Sequence, residues 1–358
     1  MALGVAVGDG YAYLAGGPGL RVIDVQTPAQ PEIVGTIAVP GAALSVAVAK
    51  QIACIAAGDH GLLVADVSNP TAPTIIGGAD TPGYSLGVAL ADHYAYLADA
   101  ESGLQVFDLA DPARPRILGS VATADQAFAV AVAGGYAYVA AWSAGLQVVD
   151  LSVPSSPRVI GAVGTGGEAV AVAVTGRFAY VADIVSGLRI CDVGDPSSPR
   201  LIAGVSLPYE ANGVAVADRC AYVADWSAGL LVTDISNPFS PRLIGGVSTP
   251  DYAQGVAVAD GFVCLAAGDA GLQLLPRECA GPSNVLAGGP ALPAVRLMVS
   301  PNPSTGVTRI GFASAAPSIA STPPSRSSTA SSPATAPVDT TGTGEVAASS
   351  PGNPASRW

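Results

Sequence analysis

The sequence is poor in cationic and imidazole side chains. It has 358 residues, two histidines and a single lysine, Lys50, and its formal net charge is −12. Such a chain would be repelled by the phosphates of a nucleic acid, so we expect no nucleic-acid partner. There is also no apolar run of about 18 residues, the length needed for a helix that crosses a membrane, so we expect no membrane span.

Motifs for common reaction types are scarce as well. We find no GxxxxGK[ST] phosphate loop and no HExxH zinc motif. His60 and His93 fall in turns that we expect on opposite faces, so they are not expected to form a metal site or a catalytic pair. The glycine-rich stretch 8–19 lacks a following helix, and turns explain its glycines.

A Gly-Leu pair recurs through most of the chain. It starts at Gly19, Gly61, Gly103, Gly145, Gly187, Gly229 and Gly271, an interval of 42 residues. An aspartate follows five residues after each of the first six glycines, whereas Pro276 follows the seventh. We expect this aspartate to bind turn amides, since a structural role predicts regular recurrence. A period of this length is typical of propellers and solenoids.

Each repeat contains four short apolar runs separated by turn residues. In the third copy the runs are 87–90, 94–98, 103–109 and 115–121. They are too short and too β-branched for helices, and four strands in about 40–45 residues make one propeller blade. The first run holds only small residues, as expected for an innermost strand that is crowded near a central axis. The second run carries aromatics, which fit where the blades spread apart. The sequence therefore predicts an all-β, seven-bladed β-propeller of four-stranded repeats.

The Pro-headed fourth strand occurs only six times, so one outer strand is missing. Three alternatives remain open. Blade seven is incomplete, or a strand from 277–299 completes it, or a strand from upstream of residue 1 closes the ring.

The words YAYVA, GLQVVDL and DPxxPR, as in 136–140, 145–151 and 195–200, resemble the LVIVD-repeat family of β-propellers. The resemblance covers about residues 1–276. It implies the propeller fold and mainly secreted or cell-surface bacterial proteins, but no agreed activity. We therefore expect an extracellular or cell-envelope location, with any export signal outside this chain, because residues 1–10 align with the first strand of a blade.

Four segments are expected: a propeller over 1–280, a linker over 281–294, a truncated segment over 295–313 and a tail over 314–358. The third resembles the opening of the Ig-like C-terminal sorting or anchoring domains of bacterial secreted proteins. The residues that carry this resemblance are Ser300, Pro301, Asn302, Pro303, Gly306 and Ile310 to Phe312. The tail is rich in Ser, Thr, Pro and Ala, so we expect it to be disordered.

The five cysteines do not have the spacing of a zinc site or a nucleophile. Four of them replace core-type residues in strands of different blades, and we expect them to be buried free thiols. They are Cys54, Cys191, Cys220 and Cys264, whereas Cys279 lies outside the repeat.

Residues that differ between the repeats are the candidates for a functional role. In a propeller the turns between second and third strands share a face with the blade-to-blade segments, and this face should be acidic and aromatic. The opposite face should be basic through the four repeated arginines Arg116, Arg158, Arg200 and Arg242, together with Arg114, Arg177, Arg219 and Lys50. The ligand-binding candidates are Trp142, Trp226, Tyr84, Tyr209, Tyr252, Asp99, Asp183, Asp225, Glu168 and Glu210.

Exposed tryptophan and tyrosine beside carboxylates suit a polysaccharide, a peptide or a protein partner. The sequence thus favours a non-enzymatic, monomeric binding scaffold without a cofactor; a Ca²⁺ site lacks the DxDxDG spacing. A purely structural alternative is that both tryptophans pack over blade edges and the acidic side chains only keep the surface soluble. The enzymatic alternative is a propeller lactonase, lyase or glycosidase that uses channel-mouth carboxylates, for which Glu168 and Glu210 are the candidates.

Overall fold

The computed structural model describes residues 1–277, Cys279 and the strand Val295–Arg296. They belong to one compact unit, residues 1–315, while a second unit, 316–358, lies outside the described residues. The described chain forms seven four-stranded antiparallel sheets and contains no helix. The predicted linker, the sorting-domain-like residues 297–313 and the predicted disordered tail fall outside the description and stay predictions.

Each blade runs from an inner strand to an outer strand. The inner strands are β1 (Gly4–Gly8), β5 (Ser45–Ala49), β9 (Gly87–Ala91), β13 (Ala129–Ala133), β17 (Ala169–Thr175), β21 (Ala211–Ala217) and β25 (Ala253–Val258). The second strands are β2 (Tyr11–Gly16), β6 (Ile52–Ala56), β10 (Tyr94–Ala98), β14 (Tyr136–Ala140), β18 (Phe178–Asp183), β22 (Cys220–Asp225) and β26 (Phe262–Ala267).

The third strands are β3 (Gly19–Asp24), β7 (Leu62–Asp66), β11 (Leu104–Asp108), β15 (Leu146–Asp150), β19 (Gly187–Asp192), β23 (Gly229–Asp234) and β27 (Leu272–Pro276). The outer strands are β4 (Glu32–Ala38), β8 (Thr74–Ala79), β12 (Arg116–Val121), β16 (Arg158–Val163), β20 (Arg200–Val205), β24 (Arg242–Val247) and β28 (Val295–Arg296). The predicted seven-bladed propeller is thereby confirmed.

The ring is closed by contact between the first and last blades. Each inner strand neighbours the next, and β25 of blade seven returns to β1 of blade one. The Ala2 N–H donates to the Gly268 carbonyl over 2.7 Å, and the Met1 amino group lies 3.2 Å from Asp269. The outer strand of blade seven is β28, which pairs antiparallel with β27, so the second of the three alternatives applies.

The recurring glycine of the Gly-Leu pair has a steric reason. At Gly145 the backbone is left-handed, with φ +75°, and a Cβ would lie 2.5 Å from the Val163 carbonyl oxygen. The same left-handed φ occurs at Gly61, Gly103, Gly187, Gly229 and Gly271. Only glycine adopts this backbone without strain, which explains the pair in blades two to seven; in blade one Gly19 lacks the left-handed φ, but a Cβ there would lie 2.1 Å from the Ile37 carbonyl oxygen.

The recurring aspartate stabilises the loop between third and outer strands, as predicted. Its Oδ1 accepts a hydrogen bond of 2.8–3.0 Å from the N–H two residues later at Asp24, Asp66, Asp108, Asp150, Asp192 and Asp234. This bond lowers the pKa of Asp66, where the Ser68 N–H is the main donor.

The face that carries the loops between third and outer strands is opposite the acidic face, and the sequence predicted it to be basic; the structure does not support this. Each of the four repeated arginines stands across from a recurring aspartate, as Arg116 does from Asp108 and Arg158 from Asp150. The Arg158 guanidinium reaches the Asp150 carboxylate over 3.2 Å. The prediction of a basic face was wrong because the cross-strand partner of each arginine was not considered.

The cysteine prediction was wrong for one of its four residues. Cys54, Cys191 and Cys264 are buried free thiols, and burial raises the pKa of each to about 12. Cys220 instead forms a disulfide with Cys279, 59 residues later. The segment that leaves blade seven is thereby linked to blade six, and its Arg277 also forms an ion pair with Asp218 of blade six.

Candidate binding face

The upper face is defined here by two sets of segments: the hairpins between second and third strands, and the linking segments that join one blade to the next. Backbone bridges connect the two sets, as between Ala100 and Ala127 and between Trp142 and Ala169. In blade six the Ala253 N–H donates to the Trp226 carbonyl over 2.8 Å. All ten candidate residues lie on these segments or at the strand ends beside them.

The two tryptophans occupy equivalent sequence positions but stack on different neighbours. Trp142 has a φ of +44° and stacks on Phe128, which precedes the inner strand of its own blade, at 4.7 Å between ring centroids. Trp226 stacks on Tyr252, which precedes the inner strand of the next blade, at 4.5 Å. Both indoles are half-buried, so part of each remains available on the face.

Two of the candidate carboxylates are fully buried and bound within the chain. Asp99 accepts hydrogen bonds from the hydroxyls of Thr81 and Ser85, over 2.6 and 2.8 Å, and from the Gly83 N–H. Asp183 accepts from the Thr165 hydroxyl over 2.6 Å and from two hairpin N–H groups. Both residues join a linking segment to a hairpin, and their ligand-binding role stays a prediction.

Two other blades also join the linking segment to the hairpin, but there the aspartate lies on the linking segment. In blade four Asp125 of the linking segment binds the N–H and hydroxyl of Ser143 in the hairpin. In blade seven Asp251 accepts from the Asp269 N–H over 2.6 Å. One carboxylate per blade, on either segment, is thus sufficient to join the two segments.

Blade six departs from both arrangements. Its hairpin carries Asp225, but the linking segment has Leu207 where blades three and five have threonine, and Tyr209 where they have glycine. The fully buried carboxylate receives a 3.4 Å bond from the Tyr209 N–H and also interacts with the Ala228 N–H of the hairpin, but among the described residues its Oδ1 has no hydrogen-bond partner. Burial raises the pKa of Asp225, and the nearby charge of Glu210 adds to the rise.

Two further polar residues beside Asp225 break the repeat. The residue at the start of the inner strand is apolar in the other five blades, at Leu3, Leu44, Leu86, Phe128 and Val170. In blades six and seven it is Asn212 and Gln254, each at a β-bulge. Within the described chain Asn212 Oδ1 and Gln254 Nε2 are buried without hydrogen-bond partners. Both were missed because the sequence was searched for charges and aromatics rather than for polar residues in an apolar column.

The remaining candidates differ in accessibility. Tyr209 and Tyr252 are 56% and 45% exposed, whereas Tyr84 is half-buried. Burial, together with the charge of Asp59, raises the pKa of Tyr84. Glu168 and Glu210 are half-buried at equivalent positions of blades five and six.

The described residues offer little for catalysis. They contain no group of three or more His, Cys, Asp and Glu side chains that could hold a metal ion. The pentapeptide GYSLG at 83–87 has the spacing of a nucleophile elbow, which the sequence search missed, but Ser85 is fully buried and donates to Asp99. His60 lies in an upper hairpin and His93 in a turn of the opposite face, so the two remain apart.

A closed ring of seven four-stranded blades with a variable loop face defines a β-propeller repeat protein. The LVIVD repeat model matches residues 1–39, 40–81, 82–123, 125–165, 166–206 and 210–249, and the chain belongs to the LVIVD repeat family. A comparison with curated proteins gave no match.

Solved structures with similar folds include two natural proteins and a designed one. The Cps50 (Swd1) β-propeller domain of Myceliophteria thermophila has TM-score 0.63 and 12% identity, over 77% of this chain and 97% of that one. The RRP9 WD40 repeats give 0.60 and 13%, over 75% and 87%. The computationally designed Ika8 protein gives 0.59 and 11%, over 77% and 83%. At these identities the likeness concerns the fold alone. The described part of the chain has no helix that could span a membrane.

Proposed function

We propose that the protein is a non-enzymatic binding scaffold whose upper face holds a polysaccharide, a peptide or a protein partner. The observation that carries this proposal is the break in repeat symmetry on the upper face. Blades four, six and seven present stacked aromatic pairs there, and blade six adds a buried carboxylate oxygen that nothing in the described chain satisfies. Aromatic rings beside carboxylates are typical of recognition surfaces.

An exported location is part of the proposal. The Cys220–Cys279 disulfide supports it, because disulfides persist in oxidising compartments and are rare in a reducing cytosol. The recurring strand and loop sequences that carry the family resemblance point the same way. The protein is expected to act as a monomer, since the ring is closed within one chain.

The proposed function is tested with glycan and peptide arrays probed with the full chain, with and without Ca²⁺. A retained ligand is then titrated into Trp142→Ala and Trp226→Ala. Phe239→Ala is the matched control, because Phe239 is an exposed aromatic, 63% accessible, on the opposite face. Weaker binding of the two tryptophan variants with an unchanged control supports the proposal. Equal affinity in all variants, or no ligand on any array, contradicts it.

A further inference from the structure

The departures from the repeat concentrate at one place on the upper face, between blades six and seven. Asp225 pairs across the sheet with Ala211, the residue before Asn212. The next hairpin residue, Trp226, accepts the N–H of Ala253, the residue before Gln254. Backbone pairing therefore places Asp225, Asn212 and Gln254 on neighbouring strand ends. Asp225 and Gln254 are buried and Asn212 is half-buried, and each has one buried side-chain atom without a hydrogen-bond partner among the described residues.

Asp99 of blade three and Asp183 of blade five occupy the position equivalent to Asp225 and show how this carboxylate is normally hydrogen-bonded. Both have complete sets of partners, and a Cβ at Gly167 would lie 2.1 Å from Asp183 Oδ1. Because Tyr209 replaces this glycine in blade six, Asp225 cannot be held as Asp183 is. The linking segment of blade six is tied to the hairpin carboxylate only by the 3.4 Å bond from the Tyr209 N–H. This bond is longer than the 2.6 Å bond from the Thr165 hydroxyl to Asp183 in blade five, and the segment has to move here for a ligand to reach Asp225.

The three atoms without hydrogen-bond partners indicate which class of ligand this region would bind. Asp225 Oδ1 and Asn212 Oδ1 are acceptors and Gln254 Nε2 is a donor. A second carboxylate, Glu210, acts on Asp225 through its charge, and Trp226, the residue after Asp225, stacks on Tyr252. A neutral hydroxyl could satisfy the acceptors but would leave two neighbouring carboxylates without a counter-charge. A cation with several N–H donors satisfies the acceptors and the charge together.

We propose that the region formed by Asp225, Asn212, Gln254 and the Trp226–Tyr252 pair is a subsite for an arginine side chain of a peptide partner. The guanidinium donates to Asp225 Oδ1 and Asn212 Oδ1, and a peptide carbonyl of the partner accepts from Gln254 Nε2. The aromatic pair contacts the planar cation. This inference rests on the proposed function of the upper face and gives it a ligand class.

The experiment titrates a tri-arginine peptide, capped at both ends, into the full chain by calorimetry, with a capped tri-glutamine peptide as the neutral reference. Asp225→Asn removes the charge while keeping the shape, and Asp183→Asn makes the same change in blade five. The double variant Leu207→Thr/Tyr209→Gly rebuilds the satisfied arrangement of blade five around Asp225. Thermal unfolding of every variant verifies that it is folded.

We expect the tri-arginine peptide to bind the unaltered chain, and Asp225→Asn to weaken binding at least tenfold while Asp183→Asn leaves it unchanged. The rebuilt double variant should also lose binding, although its melting temperature should rise by about 2 °C. Absent binding to the unaltered chain, or equal affinity in Asp225→Asn, would overturn the subsite; the unsatisfied atoms would then hold an internal water only. An array ligand that depends on Trp142 but not on Asp225 would overturn the subsite while leaving the proposed function in place.

Discussion

Removal of the Cys220–Cys279 disulfide is expected to destabilise the propeller by about 2–4 kcal/mol. The two cysteines are 59 residues apart. In the chain-entropy description, a loop of that length restricts the unfolded state by about 4 kcal/mol at 25 °C. The expected loss is smaller than this upper value, because other contacts also hold the segment after β27. Arg277 still binds Asp218 and the Ala259 carbonyl when the disulfide is absent.

The assay is denaturant unfolding of the unaltered chain and of Cys220→Ala/Cys279→Ala, followed by tryptophan fluorescence. Cys191→Ala is the control, because Cys191 is equally buried but forms no disulfide. The double variant should lose the full 2–4 kcal/mol, and reductant should have the same effect on the unaltered chain. The reasoning is refuted if reductant leaves the unfolding midpoint unchanged, or if mass spectrometry finds five free thiols in protein purified under oxidising conditions.

Three further predictions concern stability. Gly145→Ala should cost about 1 kcal/mol more than Gly134→Ala in denaturant unfolding, because both glycines have positive φ but only Gly145 is crowded by a carbonyl; equal costs would contradict the steric account. Thr165→Val should cost about 1–3 kcal/mol in the same assay by leaving an Asp183 oxygen unsatisfied; a neutral effect would argue against the tie. Asp225→Asn should stabilise the fold more at pH 7 than at pH 4. The pKa of Asp225 is higher in the folded than in the unfolded state, so its ionisation lowers the free energy of unfolding as pH rises through the folded-state pKa. If thermal melts show a larger gain for Asp225→Asn at pH 4 than at pH 7, the raised pKa is contradicted.

The fold could be predicted from the sequence because its signals are local and repeated. A Gly-Leu pair recurs seven times and a loop-binding aspartate six times at intervals of 42 residues, together with alternating small and aromatic strands, so the copies reinforce one interpretation. The position of the upper-face loops follows directly from blade topology. These features need no knowledge of which distant residues meet.

The features that escaped prediction depend on partners from distant parts of the chain. Cys279 lies outside the repeat, so nothing in its sequence position indicates that it bonds to Cys220. The structural role of Asp99 and Asp183 was not predicted, because it depends on a threonine 18 residues earlier that donates a hydrogen bond to each carboxylate. Reading the repeats in aligned columns would have shown that Leu207 breaks this pairing in blade six.

The most direct test of the upper face as a binding surface is hydrogen–deuterium exchange of the full chain with and without its array-selected ligand. We predict that protection will fall on amides of the upper hairpins and linking segments, above all 207–212, 226–229 and 250–254. Protection of 193–199 and 235–241 on the opposite face, or no change in either set, would contradict the account.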